Sequence, residues 1–258
     1  MSSDRLLAPA KLTLSLRVTG VRPDGYHELD AEMVTLSLAD ELEFDDAGTG
    51  VTVDDDGLGG PGALGDPAHN LVALALAAVQ RDAAVRLQKR IPVGAGLGGG
   101  SADAAAVLRW AGCDDLAVAA RLGSDVPFCL VGGRARVGGA GEVVVPLPYE
   151  HREFVLLLPP FGVATAAAYR AWDAAPRDDG VNALTEAALA VEPRLARWRD
   201  AFRELTGADP VLAGSGSTWF VEGSEANAGG SVPSELVVEG VPGRLVRAHT
   251  VPAGWEGD

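Results

Sequence analysis

Leu12, Leu14 and Leu16 alternate with Lys11, Thr13 and Ser15, the period-two pattern of a strand with one buried face. Arg22-Pro23-Asp24-Gly25 is a turn signal, and Tyr26-His27-Glu28-Leu29 leads from it into a second strand, through Met33 to Leu38. Shorter strands are predicted over 41–44 and 50–53, and 54–68 is a polar, glycine-rich excursion expected at the surface. Asn70 can cap a helix running to Arg81, which precedes a strand over 85–89. Helices follow over 101–111 and 115–122, then strands over 134–137 and 142–146 that close the first half. A buried strand over 154–158 opens the second half. Helices are predicted there over 164–173, 182–190 and 193–206, with strands over 210–213, 218–222, 235–239 and 244–250. No internal repeat is present. The elements interleave without a regular βαβ beat, so the fold class is α+β rather than a doubly wound sheet.

Composition narrows the function. The chain has 258 residues, 47% of them hydrophobic, enough for a substantial core in one large domain or two small ones. The longest apolar run, 71–79, is bounded by Asn70 and Gln80-Arg81 and is too short to span a bilayer. Met1-Ser2-Ser3-Asp4-Arg5 has no signal-peptide pattern. Cys113 and Cys129 have neither metal nor redox spacing and read as buried thiols, so a cytoplasmic location is expected. A net charge of −15 argues against nucleic acid as a partner, and no membrane contact is expected; nothing sets an oligomeric state. Arginine is the default cation, and only Lys11 and Lys89 are lysines. Lys89 reads as an ordinary strand-end cation. Lys11 invites a question, since a compact ammonium can enter a site that a planar guanidinium cannot.

The densest chemical signal is Pro92-Val93-Gly94-Ala95-Gly96-Leu97-Gly98-Gly99-Gly100-Ser101-Ala102-Asp103-Ala104-Ala105. Five glycines in seven positions let a bulky anion reach the backbone, and the helix that follows offers free N–H groups and its positive dipole end. No Lys-Ser or Lys-Thr pair ends the loop, as a Walker A motif requires. A dinucleotide fingerprint fits poorly at its last two positions and would follow the first strand of a βαβ unit. A flexible linker is disfavoured by the strand before the loop and the apolar helix after it. The remaining pattern, Pro-x-x-x-Gly-Leu-Gly-Gly-Gly-Ser-Ala, resembles the phosphate loop of the GHMP kinases. Asp103 reads as a charge on the helix dipole rather than as a ligand.

Three other segments are ambiguous alone. The first joins Ala8-Pro9-Ala10-Lys11-Leu12-Thr13-Leu14 to the 22–29 turn. It is either a plain hairpin with half-buried Tyr26 and His27, or an aromatic face and a donor/acceptor ring meeting a planar ligand. The second is Gly123-Ser124-Asp125-Val126-Pro127-Phe128. Asp125 there is either a helix cap or a buried carboxylate able to take a proton from a hydroxyl, with Lys11 as the ammonium beside it. The third, Leu212-Ala213-Gly214-Ser215-Gly216-Ser217-Thr218, is a hairpin turn or a set of donors for a substrate phosphate.

Together, and in this order, these segments resemble the 4-diphosphocytidyl-2-C-methyl-D-erythritol kinases, the ATP-dependent GHMP kinases of the non-mevalonate isoprenoid route. The resemblance spans residues 8 to 222, and Asp24-Gly25-Tyr26-His27-Glu28-Leu29 selects this member of the superfamily. It implies two domains, 1–150 and 151–258, with the active site in the cleft between them. It implies Asp125 as the base and Lys11 as its partner, with Pro92, Val93, Gly94, Ala95, Gly96, Leu97, Gly98, Gly99, Gly100, Ser101 and Ala102 around ATP. Tyr26, His27 and Tyr169 would hold the cytosine, and Thr13, Gly214 and Ser215 the rest of the substrate. No residues are spaced as protein ligands for a metal, so Mg²⁺ is expected to arrive with the nucleotide, Ser101 facing it.

The chain departs from the family in places. Thr13 stands where asparagine is usual, Ala183 where Asn-Asp-Leu has its acid, and Ser124 where alanine is common. The stretch 222–233 is poor in apolar residues, as if the second half were trimmed. Two other functions remain in play: a homoserine- or mevalonate-type acceptor, against which residues 24–29 speak, and a non-catalytic binding homologue, against which Lys11 and Asp125 speak.

Overall fold

The computed structural model describes residues 4–55, 70–177, 180–223 and 233–257. Most of the 54–68 excursion and of the 222–233 stretch therefore lies outside the described residues. The described residues build two sheets. In the first, β1 (Asp4–Val21) pairs antiparallel with β2 (His27–Asp45), and β2 also pairs with β4 (Ala84–Gln88) and β5 (Arg134–Gly139). β3 (Gly50–Asp54) runs parallel to β4, and β6 (Val143–Leu147) lies beyond β5. The second sheet has the order β10 (Glu235–Val238), β11 (Val241–His249), β7 (Glu153–Leu158), β9 (Trp219–Glu222), β8 (Val211–Leu212).

β1 and β2 are much longer than the alternation of leucines alone suggests, because register shifts bend the pair instead of ending it. One extra residue on β1 between Thr13 and Ser15 exchanges the faces of the strand. Leu12 and Leu14 therefore join a different apolar cluster from Leu16 and Val18. Lys11 and Thr13, on the face opposite Leu12, are buried polar residues.

Seven helices are described. α1 (Leu71–Ala78) crosses between the parallel strands β3 and β4, with Asn70 Oδ1 accepting from the Val72 N–H as its cap. α2 (Gly99–Trp110) starts two residues before Ser101 and is buried along most of its length, its alanines allowing close approach on several sides. α3 (Leu116–Leu122) is capped by Asp115. α4 (Val126–Val131) starts directly after Asp125, one of whose two readings is a helix cap, although the sequence predicts no helix over this range; proline is well suited to a first helical turn. α5 (Thr165–Ala174), α6 (Thr185–Val191) and α7 (Arg194–Thr206) cover one face of the second sheet, around Trp198, Phe202 and Trp219.

A third apolar cluster joins the sheets. Ala10, Leu12, Val34, Leu36, Ile91 and Leu97 pack with Phe154, Leu156, Phe220 and Ala248. Cys129 is buried and Cys113 half-buried, both unpaired. Burial, and then the charge of Asp125, pushes the Cys129 thiol up to about 12, which makes it a packing residue, not a nucleophile. Among the described residues no helix is long and apolar enough to cross a membrane.

Candidate active site

The glycine loop links β4 to α2 and is held on both sides. Gly94, Gly96 and Gly98 all have positive φ, the left-handed region where a side chain is strained. A Cβ on Gly96 would stand 2.2 Å from the Ala213 carbonyl oxygen, and one on Gly98 would stand 2.7 Å from Cγ of Lys11. The Thr218 N–H donates to the Ala95 carbonyl and the Val163 N–H to that of Gly94. The Lys11 N–H donates to the Leu97 carbonyl at 3.0 Å. The glycines thus serve close backbone packing as well as any anion.

This loop forms one wall of a cavity of about 840 Å³. Pro92, Val93, Gly94, Ala95, Gly96, Gly98, Gly99, Gly100 and Ser101 line it, with Lys11, Thr13, Tyr26, His27, Asp125, Tyr169, Gly214 and Ser215. Leu97 and Ala102 do not line it: both are 1% exposed and belong to the apolar core, so they shape the loop from behind. The lining holds three cations, Lys11, Lys89 and Arg170, against three carboxylates, Asp103, Asp125 and Asp173. Despite the acidic chain, the cavity itself is balanced.

The Lys11 Nζ lies 3.3 Å from Asp125 Oδ2 and donates to Thr13 Oγ1 at 3.2 Å. Lys11 is buried, whereas a third of the Asp125 side chain faces the cavity. Asp125 occupies the N-cap position of α4 but makes no capping hydrogen bond. Its carboxylate is given to Lys11 and to the cavity instead. Thr13, where the family pattern has asparagine, supplies a hydroxyl to the ammonium.

Tyr26 is exposed at the tip of the turn, and its N–H donates to Asp24 Oδ1. His27 faces inward: its ring stacks on Tyr169 with centroids 4.5 Å apart and meets Trp172 edge-on at 5.7 Å. Its Nε2 is 2.7 Å from Asp173 Oδ1. Burial, and then the Asp125 charge, raises the Tyr169 hydroxyl well above the usual phenol range. Ser215 exchanges a hydrogen bond with Thr165 at 3.0 Å. Asn182, next to the departure at Ala183, is buried and donates to the Leu212 and Gly214 carbonyls at 2.8 and 2.6 Å. It fixes the 212–218 loop beside Lys11, and sequence reasoning did not single it out.

Two expectations are overturned. Lys89 is no strand-end cation: it is buried and its Nζ donates to both Asp40 and Asp103. Asp103 is no dipole charge in a first turn; it lies one residue farther into α2 and is 3% exposed. Asp40 also accepts from the Ile91 N–H at 2.8 Å and from the Arg90 N–H, tying β2 to the loop. The scarcity of lysine was the available signal for Lys89. Among the described residues no group of three or more His, Cys, Asp or Glu is placed to hold a metal.

Residues 70–133 match the GHMP kinases N terminal domain. The chain is 38% identical to a 4-diphosphocytidyl-2-C-methyl-D-erythritol kinase from Pelotomaculum thermopropionicum, the match covering 83% of this chain and 87% of that one. An enzyme of the same name from Paramagnetospirillum magneticum is 34% identical, over 99% of this chain and 97% of the relative. Among solved structures, a crystal structure of 4-(cytidine 5'-diphospho)-2C-methyl-D-erythritol kinase matches with TM-score 0.66 and 35% identity, covering 84% of this chain and 89% of the other. A mevalonate kinase from Methanococcus jannaschii, 14% identical with TM-score 0.57 over 97% and 99% of the two chains, shares the fold. With its glycine loop, its Lys11–Asp125 pair and full-length relatives of one name, the chain belongs to the 4-diphosphocytidyl-2-C-methyl-D-erythritol kinase family of GHMP kinases.

Proposed function

We propose that this protein transfers the γ-phosphoryl group of ATP to the 2-hydroxyl of 4-diphosphocytidyl-2-C-methyl-D-erythritol, a step in isoprenoid precursor synthesis. The observation that carries this reading is the Lys11–Asp125 pair, 3.3 Å apart, in the same cavity as the glycine loop and the His27–Tyr169 stack. One end of the cavity suits a polyphosphate, the other a planar base, and a base–ammonium pair lies with them.

Asp125 takes the proton of the acceptor hydroxyl, and the alkoxide oxygen forms a bond to the γ-phosphorus as the bond to the bridging oxygen of ADP breaks. Lys11, paired with Asp125 at 3.3 Å, offsets the charge that grows on the attacking oxygen. Thr13 holds the ammonium from its other side. The loop 94–100 presents backbone N–H groups to the ATP phosphates at the start of α2. The donor set fits a magnesium ion carried in by those phosphates, with Ser101 as the hydroxyl that faces it; the ion supplies charge neutralisation when bound. His27 and Tyr169 take the cytosine, with Tyr26 closing over it from the turn, and Gly214 and Ser215 contact the substrate near Lys11. Residues 1–150 and 151–258 act as two lobes around this cavity. The unpaired thiols fit a reducing compartment, so we place the protein in the cytoplasm.

The test is ADP release, coupled to a spectroscopic readout, with Mg²⁺, ATP and a panel of acceptors. Turnover is expected with the diphosphocytidyl substrate and not with homoserine or mevalonate. Turnover only with one of the latter, or tight binding of the cytidine substrate without ADP formation, would overturn the proposal.

A further inference from the structure

Tyr169, Trp172 and Asp173 stand at i, i+3 and i+4 on α5, so they share one helical face. All three converge on His27, the first residue of β2, which lies 146 positions away from Asp173. Tyr169 and Trp172 fix the plane of the imidazole by stacking and by an edge contact. Asp173 fixes its protonation pattern. An ionised carboxylate only accepts hydrogen bonds, so at 2.7 Å the ring nitrogen Nε2 must carry the proton. The other nitrogen, Nδ1, is then bare in the neutral ring and can only accept.

We infer that Asp173 is a positioning residue for base recognition: by holding Nε2–H it presents His27 Nδ1 as an acceptor, which selects a pyrimidine carrying an exocyclic amine over one carrying a carbonyl. This rests on the proposed role of His27 in holding the cytosine. Cytosine offers a 4-amino donor to such an acceptor. Uracil offers an oxygen, which leaves two lone pairs facing each other, an unpaired arrangement that a polar site rejects strongly. Asp173 is 46% exposed and so does not depend on the core for its place. Its removal leaves the packing of α5 on the sheet intact.

The experiment measures kcat/KM for the cytidine substrate and for its uridine counterpart. In Asp173→Ala the cytidine-to-uridine ratio is expected to fall by about tenfold, through KM and with kcat for the cytidine substrate changed less than about twofold. Asp173→Glu is expected to restore most of the ratio, and thermal melting should leave both variants within a few degrees of the parent. His27→Phe, which keeps the stacking ring but has no nitrogen, separates the two layers of the argument. An unchanged ratio in His27→Phe overturns the role of His27 itself. A lowered ratio in His27→Phe with an unchanged ratio in Asp173→Ala overturns the inference about Asp173 alone.

Discussion

Lys89 and Asp103 form a 2.7 Å ion pair in which each side chain is only 4% exposed, directly beneath the glycine loop. A Cβ on Gly99 would come within 3.1 Å of the Lys89 Nζ, so the first turn of α2 rests on this ammonium. Asp40 shares the same ammonium, and Oδ1 of Asp103 has no hydrogen-bond partner. Two carboxylates thus divide one cation in a nearly dry site.

Replacing that cation strands both acids. Lys89→Met is expected to cost about 3–5 kcal/mol of folding stability, as the loss of one partner from a buried pair does. Urea denaturation of the variant against the parent measures it. A loss under about 1 kcal/mol would mean that the acids find other partners or water.

Asp103 also predicts a pH dependence. Burial pushes its carboxyl up to about 7, only partly offset by Lys89. Between the ordinary carboxylate value and the raised one, the folded protein holds a proton that the unfolded chain has released. Its contribution to stability is therefore fully present below about pH 4 and lost as pH rises toward 7. The midpoint of denaturation should drop more steeply over this interval in the parent than in Asp103→Asn, which cannot titrate. Parallel curves for the two proteins would refute the assignment.

Gly96→Ala places a methyl carbon 2.2 Å from a backbone oxygen at a residue with φ of +79°. Neither the carbonyl of Ala213 nor the loop can move away cheaply. Both stability and nucleotide affinity should fall, the former by about 2–4 kcal/mol. Calorimetric titration with a non-hydrolysable ATP analogue and a thermal melt together provide the check.

Asp125→Asn and Lys11→Met should each lower kcat by roughly 10²–10⁴-fold, the range expected for removing a general base or its electrostatic partner. Nucleotide binding to Asp125→Asn should persist, because the glycine loop is untouched. Full activity in that variant would remove Asp125 from the reaction.

What the sequence revealed depended on whether a residue's chemistry is local. The glycine loop was legible because glycine density, the strand before it and the helix after it all lie within a few residues. The alternation of Leu12, Leu14 and Leu16 announced a strand, but not the extra residue that exchanges its faces, since a bulge depends on the partner strand. α4 escaped notice because six residues with an early proline carry almost no periodic signal. Lys89 read as a strand-end cation and Asp103 as a dipole charge, and Asp40 carried no signal; only a contact spanning 49 positions accounts for the burial of Lys89 with Asp40. Asp173 was equally silent, its partner being far away in the chain and its own surroundings an ordinary exposed helix end. Tyr26 and His27 could be paired as neighbours, yet one is exposed and the other is wedged against α5.

The apolar cluster shared by the two sheets has a consequence for how the molecule comes apart. Leu12 and Leu36 from one sheet and Leu156 and Phe154 from the other are each at most 1% exposed within it. Burial of each such side chain is worth about 1.5–3 kcal/mol. A chain cut in the linker between β6 and β7 would leave two fragments, each with a bare oily face where the other had been. Neither piece can serve as an independent module, and the two lobes should melt in one transition. A single calorimetric transition is the expected mark of that shared core, and two separate transitions would show that each half folds alone.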